Sequence, residues 1–235
     1  MTNLIVAAVV FLLLHLLVAG TRLRDTIIAV IGEGTYMGLF SLASVAGLIW
    51  VGVAFGAARG TPGDTFYWGG AMTMRIVQLF IQFIAVLFIV PGLMTRNPTS
   101  VGQGQASEDQ DIVQGMLRVT RHPFLWGVAI WAFGHLLVDG DLASLILFGT
   151  FLVLAIAGTV SIDGKRQRTL GATWQEFAHK TSNVPFAAIV GGRQTLSITE
   201  IGYLRLGAAV VVYLFLLGAH HHIFGAFVLE PGAGL

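Results

Sequence analysis

A chain of 235 residues that is 55% hydrophobic and 11% charged cannot be an ordinary soluble domain, which carries about 25% charged residues. The net charge of +1 gives no electrostatic case for nucleic acid. The lack of cysteine removes disulfides, Fe–S clusters and thiolate-ligated metals and leaves the redox compartment unreadable.

The first apolar run, residues 4–20, follows Met1-Thr2-Asn3. With no basic leader region and no small-residue cleavage site, it reads as a retained membrane helix. His15 lies inside it, in a Leu-Leu-Leu-His-Leu-Leu setting. Ionisable side chains at membrane depth are costly and usually face a protein interior. Arg22 and Arg24 follow, then Gly32-Glu33-Gly34, which reads as a loop with a capping acid, and Tyr36 and Ser41 near the start of a second run at 39–55. A third run spans 74–93. Asn97–Asp111 is polar and Gly-rich and reads as a mobile insertion.

Arg121-His122-Pro123 opens a fourth span, 122–138, where proline suits the first turn and Arg121 with the free amides would hold an anion. A positive-inside arginine beside a helix-start proline explains the same residues. This span carries Gly127, Trp126, Trp131, Gly134 and His135; the glycines allow close approach of a flat macrocycle or, equally, of another helix. Asp139-Gly140-Asp141 makes a tight turn into a fifth span, 142–160. Residues 163–180 mix Asp163, Lys165, Arg166, Arg168 and Glu176 with Leu170, Trp174 and Phe177 at helical spacing, which predicts an interfacial amphipathic helix bent at Gly171. The sixth span, 203–224, carries His220, His221 and His222; the last two read as interfacial.

The fold class is therefore all-α: a polytopic membrane bundle of about six helices with one amphipathic helix. Lysine and arginine concentrate in the loops after the first, third and fifth spans, which places those loops in the cytoplasm and both termini outside. His15, His135 and His220 are candidate ligands of a haem iron; a histidine bonded to a carbonyl across helices is the competing reading. His122 and His135, 13 residues apart on one helix, would be separated by roughly 20 Å and cannot share an iron. Depth matches His135 with His220 better than either with His15. No Walker loop, GxGxxG, Ser-His-Asp set or HExxH occurs.

His15–Asp25 with Gly32-Glu33-Gly34, Tyr36 and Gly38–Leu42, then Arg118, the Arg121–Gly127 block, Ala132–Ser144 and His220…Ile223-Phe224-Gly225 together resemble the NnrU family nearly end to end. The resemblance implies a bacterial inner-membrane protein tied to denitrification and nitric oxide metabolism. It also implies kinship with plant 15-cis-zeta-carotene isomerase, a haem b enzyme of membranes. It favours His15 and His135 as haem b iron ligands, keeps His220 as a candidate, and marks His122 as a further family position. Arg22, Arg24, Arg118 and Arg121 become candidate propionate partners, and His122, Gly127 and Trp131 candidate cofactor contacts. The expected activity is redox-dependent chemistry, isomerase-like, on nitric oxide or a lipophilic polyene. A weaker likeness, in Arg121-His122-Pro123 and Asp163–Pro185, is to membrane methyltransferases that use S-adenosylmethionine. There Asp163 or Glu176 would complete the pocket, but the paired glutamates of those enzymes are absent. A non-catalytic assembly factor is the third reading.

Overall fold

A computed structural model describes residues 1–69, 71–100, 102, 103, 106, 109, 111–226 and 228. The bundle is helical: α1 (Thr2–Leu12), α2 (Leu23–Ile31), α3 (Glu33–Ala58), α4 (Met72–Leu93), α5 (Met116–Val119), α6 (Pro123–Val138), α7 (Leu142–Lys180), α8 (Ala187–Val190), α9 (Ile198–Ile201) and α10 (Tyr203–Phe224). Among the described residues, α3, α4, α7 and α10 are each long and apolar enough to cross a membrane. Residues 2–18 and α2, bent by 78°, would make a fifth crossing as one unit. The expected fourth span is apolar but only 16 residues long as α6, and His122 caps it rather than lying in it. Most of each apolar window is left uncovered by protein, from 28% buried in α4 to 6% in α10, as lipid-facing helices require.

Several boundaries differ from the sequence reading. The first run does not end as an α-helix: residues Leu13–Val18 are wound as a π-helix. The loop expected after it is α2, which turns away nearly at right angles. Glu33 is not a loop acid but the first residue of α3, because Gly32 alone absorbs the change of direction, at φ 81°. The amphipathic segment is not a separate helix: α7 runs 39 residues from the fifth span through Lys180, broken at Gly171 by φ 54° and ψ −121°. Asp141 starts it by accepting a hydrogen bond from Ser144 N at 2.8 Å, a cap worth about 0.5–2 kcal/mol. Residues 66–69 form a strand, β1, that pairs with β2, residues 139–141. Asp64 ties this corner together, accepting from Gly60 N and Ala143 N.

The segment expected as a mobile insertion is packed at its start. Asn97 is buried, and it and Thr99 both donate to the Arg121 carbonyl at 3.0 Å. Residues 101, 104, 105, 107, 108 and 110 of that segment lie outside the described residues.

α6 is central, packed between α4 and α7; α1 lies between α3 and α7, and α10 lies on α4. Glycine allows the α4–α6 approach. A Cβ at Gly127 would stand 2.9 Å from the Ala85 carbonyl oxygen and 2.6 Å from Ile89 Cγ1. Gly127 therefore serves helix packing. α1 and α7 run the same way, since Phe11 meets Phe151 and the Ser161 hydroxyl donates to the Gly20 carbonyl. α6 runs against α7, with Trp131 on Phe148 and Arg121 on Asp163.

Candidate functional site

The three candidate ligands share one local device. His15 Nδ1 lies 2.9 Å from the Phe11 carbonyl, His135 Nδ1 2.9 Å from the Trp131 carbonyl, and His220 Nδ1 2.8 Å from the Ala226 carbonyl. A carbonyl oxygen only accepts, so each carbonyl contact puts the proton on Nδ1, while at His135 the Gln82 amide nitrogen, also a donor, lies 3.2 Å from the same Nδ1 and competes with that arrangement. The Nε2 lone pair is left bare, which is the tautomer a metal ligand needs, held by an outer hydrogen bond. Gln82, one of two amides in the α4 apolar run, donates to the same Trp131 carbonyl at 3.1 Å and braces the contacts around His135 from the facing helix. His15 lies in the π-helical stretch. Such bulges concentrate at functional positions, and hydropathy carries no trace of them.

Aromatic rings connect two of these histidines. His15 meets Phe11 at 4.4 Å between centroids, Phe11 meets Phe151 at 5.8 Å, Phe151 meets Trp131 at 5.7 Å, and Trp131 meets His135 at 5.1 Å. Phe148 stacks on His135 at 4.4 Å and 14°. Since Phe11 is level with Phe151 and His135 with Phe148, His15 lies roughly 10 Å nearer the Gly20–Ser161 end than His135 at 1.5 Å per residue. His220 is close enough to His135 to interact with it electrostatically. The structure thus brings His135 and His220 together toward the end of the bundle opposite Gly20 and Ser161 and joins His15 to His135 only through rings. Among the described residues no three His, Cys, Asp or Glu side chains converge on a metal-sized point.

The expected anion-binding arginines are engaged by carboxylates of the chain itself. Arg118 grips Glu200 with Nε at 2.6 Å and Nη2 at 2.9 Å, while Nη1 donates to Gln194 at 2.7 Å. Arg121 grips Asp163 with Nε at 3.0 Å and Nη2 at 2.5 Å. His122, 1% exposed, donates from Nε2 to the same carboxylate at 2.7 Å, and Asn183 adds a fourth donor group at 3.1 Å. His122 Nδ1 is buried with no partner. A bare lone pair there costs less than an unaccepted N–H, so the imidazole is neutral and Arg121–Asp163 is the charged pair. Burial alone would raise the Asp163 pKa, but the hydrogen bonds from His122 and Arg121 outweigh it and hold the carboxyl at about 2. This arrangement clamps the start of α6 to α7. It also satisfies within the protein the charges that a methyl donor's carboxylate and amine would require. Arg24 pairs with Asp25 and Glu33 and lies over the Tyr36 ring, at the α1–α2 corner beside Arg22.

A sequence model of the NnrU protein family matches residues 3–228. The chain belongs to the NnrU family. Among curated proteins it is similar to the chloroplastic 15-cis-zeta-carotene isomerase of Zea mays, 26% identical over 74% of this chain and 47% of that protein. It is similar also to the chloroplastic 15-cis-zeta-carotene isomerase of Arabidopsis thaliana, 26% identical over 55% of this chain and 36% of that protein. The chain therefore spans about half or less of the length of the curated relatives it matches. No solved structure matches it. The membrane bundle and the family agree with the sequence reading; Gln82 and Glu200 are polar partners that reading did not assign, and Asp163, which it placed beside a methyl donor, instead holds Arg121 and His122. Gln82 stands in an apolar helix and Glu200 is the one carboxylate between Glu176 and Glu230, which are the signals that mark them.

Proposed function

We propose that this NnrU-family chain is a haem b protein of the bacterial inner membrane that carries out redox-dependent chemistry on a lipophilic partner, with isomerisation of a polyene double bond as the reaction. The supporting observation is the set of imidazoles at membrane depth, each with Nδ1–H anchored and Nε2 bare. His15 and His135 would hold the cofactor, with His220 as the alternative partner of His135. Bound haem would supply an iron centre able to take up nitric oxide or to act as a Lewis acid toward a double bond. The chain's own residues do the rest. The Phe11, Trp131 and Ala226 carbonyls, and the rings of Phe40, Phe148 and Phe151, would set ligand orientation and exclude water. Phe11, Phe151 and Trp131 fill the space between His15 and His135, so joint ligation requires those rings to part. An opening of this kind also gives an apolar molecule access from the groove between α1 and α7, lined by Ile5, Val9, Leu12, Ile146 and Val153. Links to denitrification would follow from nitric oxide as the small ligand.

The test is isomer composition. In vesicles carrying a 15-cis polyene, dithionite-reduced protein is expected to enrich the trans isomer over ferricyanide-oxidised protein, read by chromatography. Equal composition in both states and in protein-free vesicles would sink the isomerase reading.

The orientation proposed is both termini periplasmic. Arg22, Arg24, Arg118, Arg121, Lys165 and Arg166 gather at the Gly20–Ser161 end of the bundle, which supports it. A reporter active only in the periplasm should work when fused after residue 224 and fail near residue 100; the reverse pattern would invert the orientation.

A further inference from the structure

The inner corner of the bundle collects cations faster than it collects partners for them. There α1 ends, α2 turns away by 78°, and the Ser161 hydroxyl of α7 donates to the Gly20 carbonyl. A helix that stops crossing and lies flat marks the level of lipid headgroups. Arg24 of α2 and Lys165 and Arg166 of α7 meet at this level, with Arg168 beside them. The opposing carboxylates are few and point to solvent: Asp25 is 50% exposed and Glu33 71%, against 18% for Arg24. The Lys165 side chain has no hydrogen bond among the described residues. Arg166 donates from Nη2 to the Ser100 carbonyl at 2.9 Å, but its Nε is buried with no partner. Tyr36 is 4% exposed, its ring lies 5.4 Å beneath the Arg24 guanidinium, and its hydroxyl is buried without a partner. Every unsatisfied group here is a donor or a cation. Burial, reinforced by Arg24 and Arg166, pushes Lys165 down to about 8, the mark of a cation short of an anion.

We infer that Arg24, Lys165 and Arg166, with the Tyr36 hydroxyl, form a binding site for the phosphate of an anionic phospholipid headgroup at the inner face of the membrane. A phosphodiester supplies several acceptor oxygens to the orphaned donors and one negative charge to the cations. A choline headgroup carries its own cation and is disfavoured. The site touches the bundle's interior by a short path, because Tyr36 stacks on Phe40 at 5.8 Å and Phe40 meets His15 at 5.3 Å.

The experiment counts bound lipid on the purified full-length chain in neutral detergent by native mass spectrometry, after incubation with equal amounts of phosphatidylglycerol and phosphatidylcholine. Phosphatidylglycerol is expected to be retained over phosphatidylcholine by about tenfold or more. Lys165→Gln/Arg166→Gln should abolish the preference, and Lys180→Gln, at an exposed pair with Glu176, should leave it intact. No preference in the wild type would overturn the site, and so would an undiminished preference in the double variant. If that variant does not fold, Arg166→Lys is read instead: it keeps the charge and removes Nε, and the preference should fall without vanishing, whereas no change would count against the assignment. Millimolar inorganic phosphate should not displace the lipid; full displacement would make this a soluble-oxyanion site. The same count on protein from haem-starved cells should be unaltered, and lipid bound only when haem is missing would instead assign these cations to a haem propionate.

Discussion

Asp163→Ala is expected to destabilise the protein by about 3 kcal/mol or more. The carboxylate is 19% exposed, Arg121 13% and the His122 side chain not at all, so its removal strands a guanidinium and an imidazole in a place water barely reaches. Asp163→Asn should cost less, since an amide oxygen still accepts from two of the four donor groups. Replacing Arg121 and Asp163 together by apolar residues of similar volume should cost less than either single change, because no charge is left unpaired. Unfolding in mixed micelles titrated with sodium dodecyl sulfate, read by tryptophan fluorescence, gives all three values. Equal, additive losses would mean the pair is not coupled. The pH dependence has a definite sign. The Asp163 pKa is held below its ordinary 3.8, so its contribution is fully present above that value and is lost as pH falls toward about 2. The variant should lack this acid-side dependence.

His15→Ala and His135→Ala are each expected to weaken haem retention by more than the 10–100-fold that outer-shell partners are worth, or to leave the iron high-spin. Both imidazoles contact a carbonyl four residues back at 2.9 Å through Nδ1, so alanine would remove the Nε2 proposed to hold the iron, along with the ring contacts to Phe11 and Phe148. His122→Ala should act differently. It opens the Asp163 clamp and lowers stability, while any haem retained keeps its spin state. Haem content per protein and the visible spectrum separate the two outcomes. If His15→Ala keeps an unaltered low-spin spectrum and His220→Ala loses it, the ligand pair is His135 with His220, as their shared outer position allows.

The parts of this fold that were legible in the sequence are those fixed by local composition. Long apolar runs give α3, α4, α7 and α10; Asp139-Gly140-Asp141 gives the α6–α7 turn; Gly171 gives the break in α7. What stayed hidden depends on partners distant along the chain. β1 exists because residues 139–141 are there to pair with it. Arg121 looked like an open anion site because its partner lies 42 residues away, and Arg118 because Glu200 lies 82 away. Counting arginines in loops locates a membrane face but says nothing of what each guanidinium holds. The π-helical turn at His15 was hidden for another reason: hydropathy is nearly the same whether Leu13–Val18 winds as α or π. His15 was legible because nothing else in its run is ionisable and His135 because its surroundings are apolar, and the aromatic path through Phe11, Phe151 and Trp131 was not, since it joins three helices.

The most direct measurement is the visible absorption spectrum of the purified full-length protein, oxidised and then reduced with dithionite. The account predicts a Soret band with about one haem b per chain, and sharp α and β bands on reduction if two imidazoles ligate the iron. A chain purified from haem-replete cells, folded and stable, with no Soret band and none gained on adding haem, would contradict it.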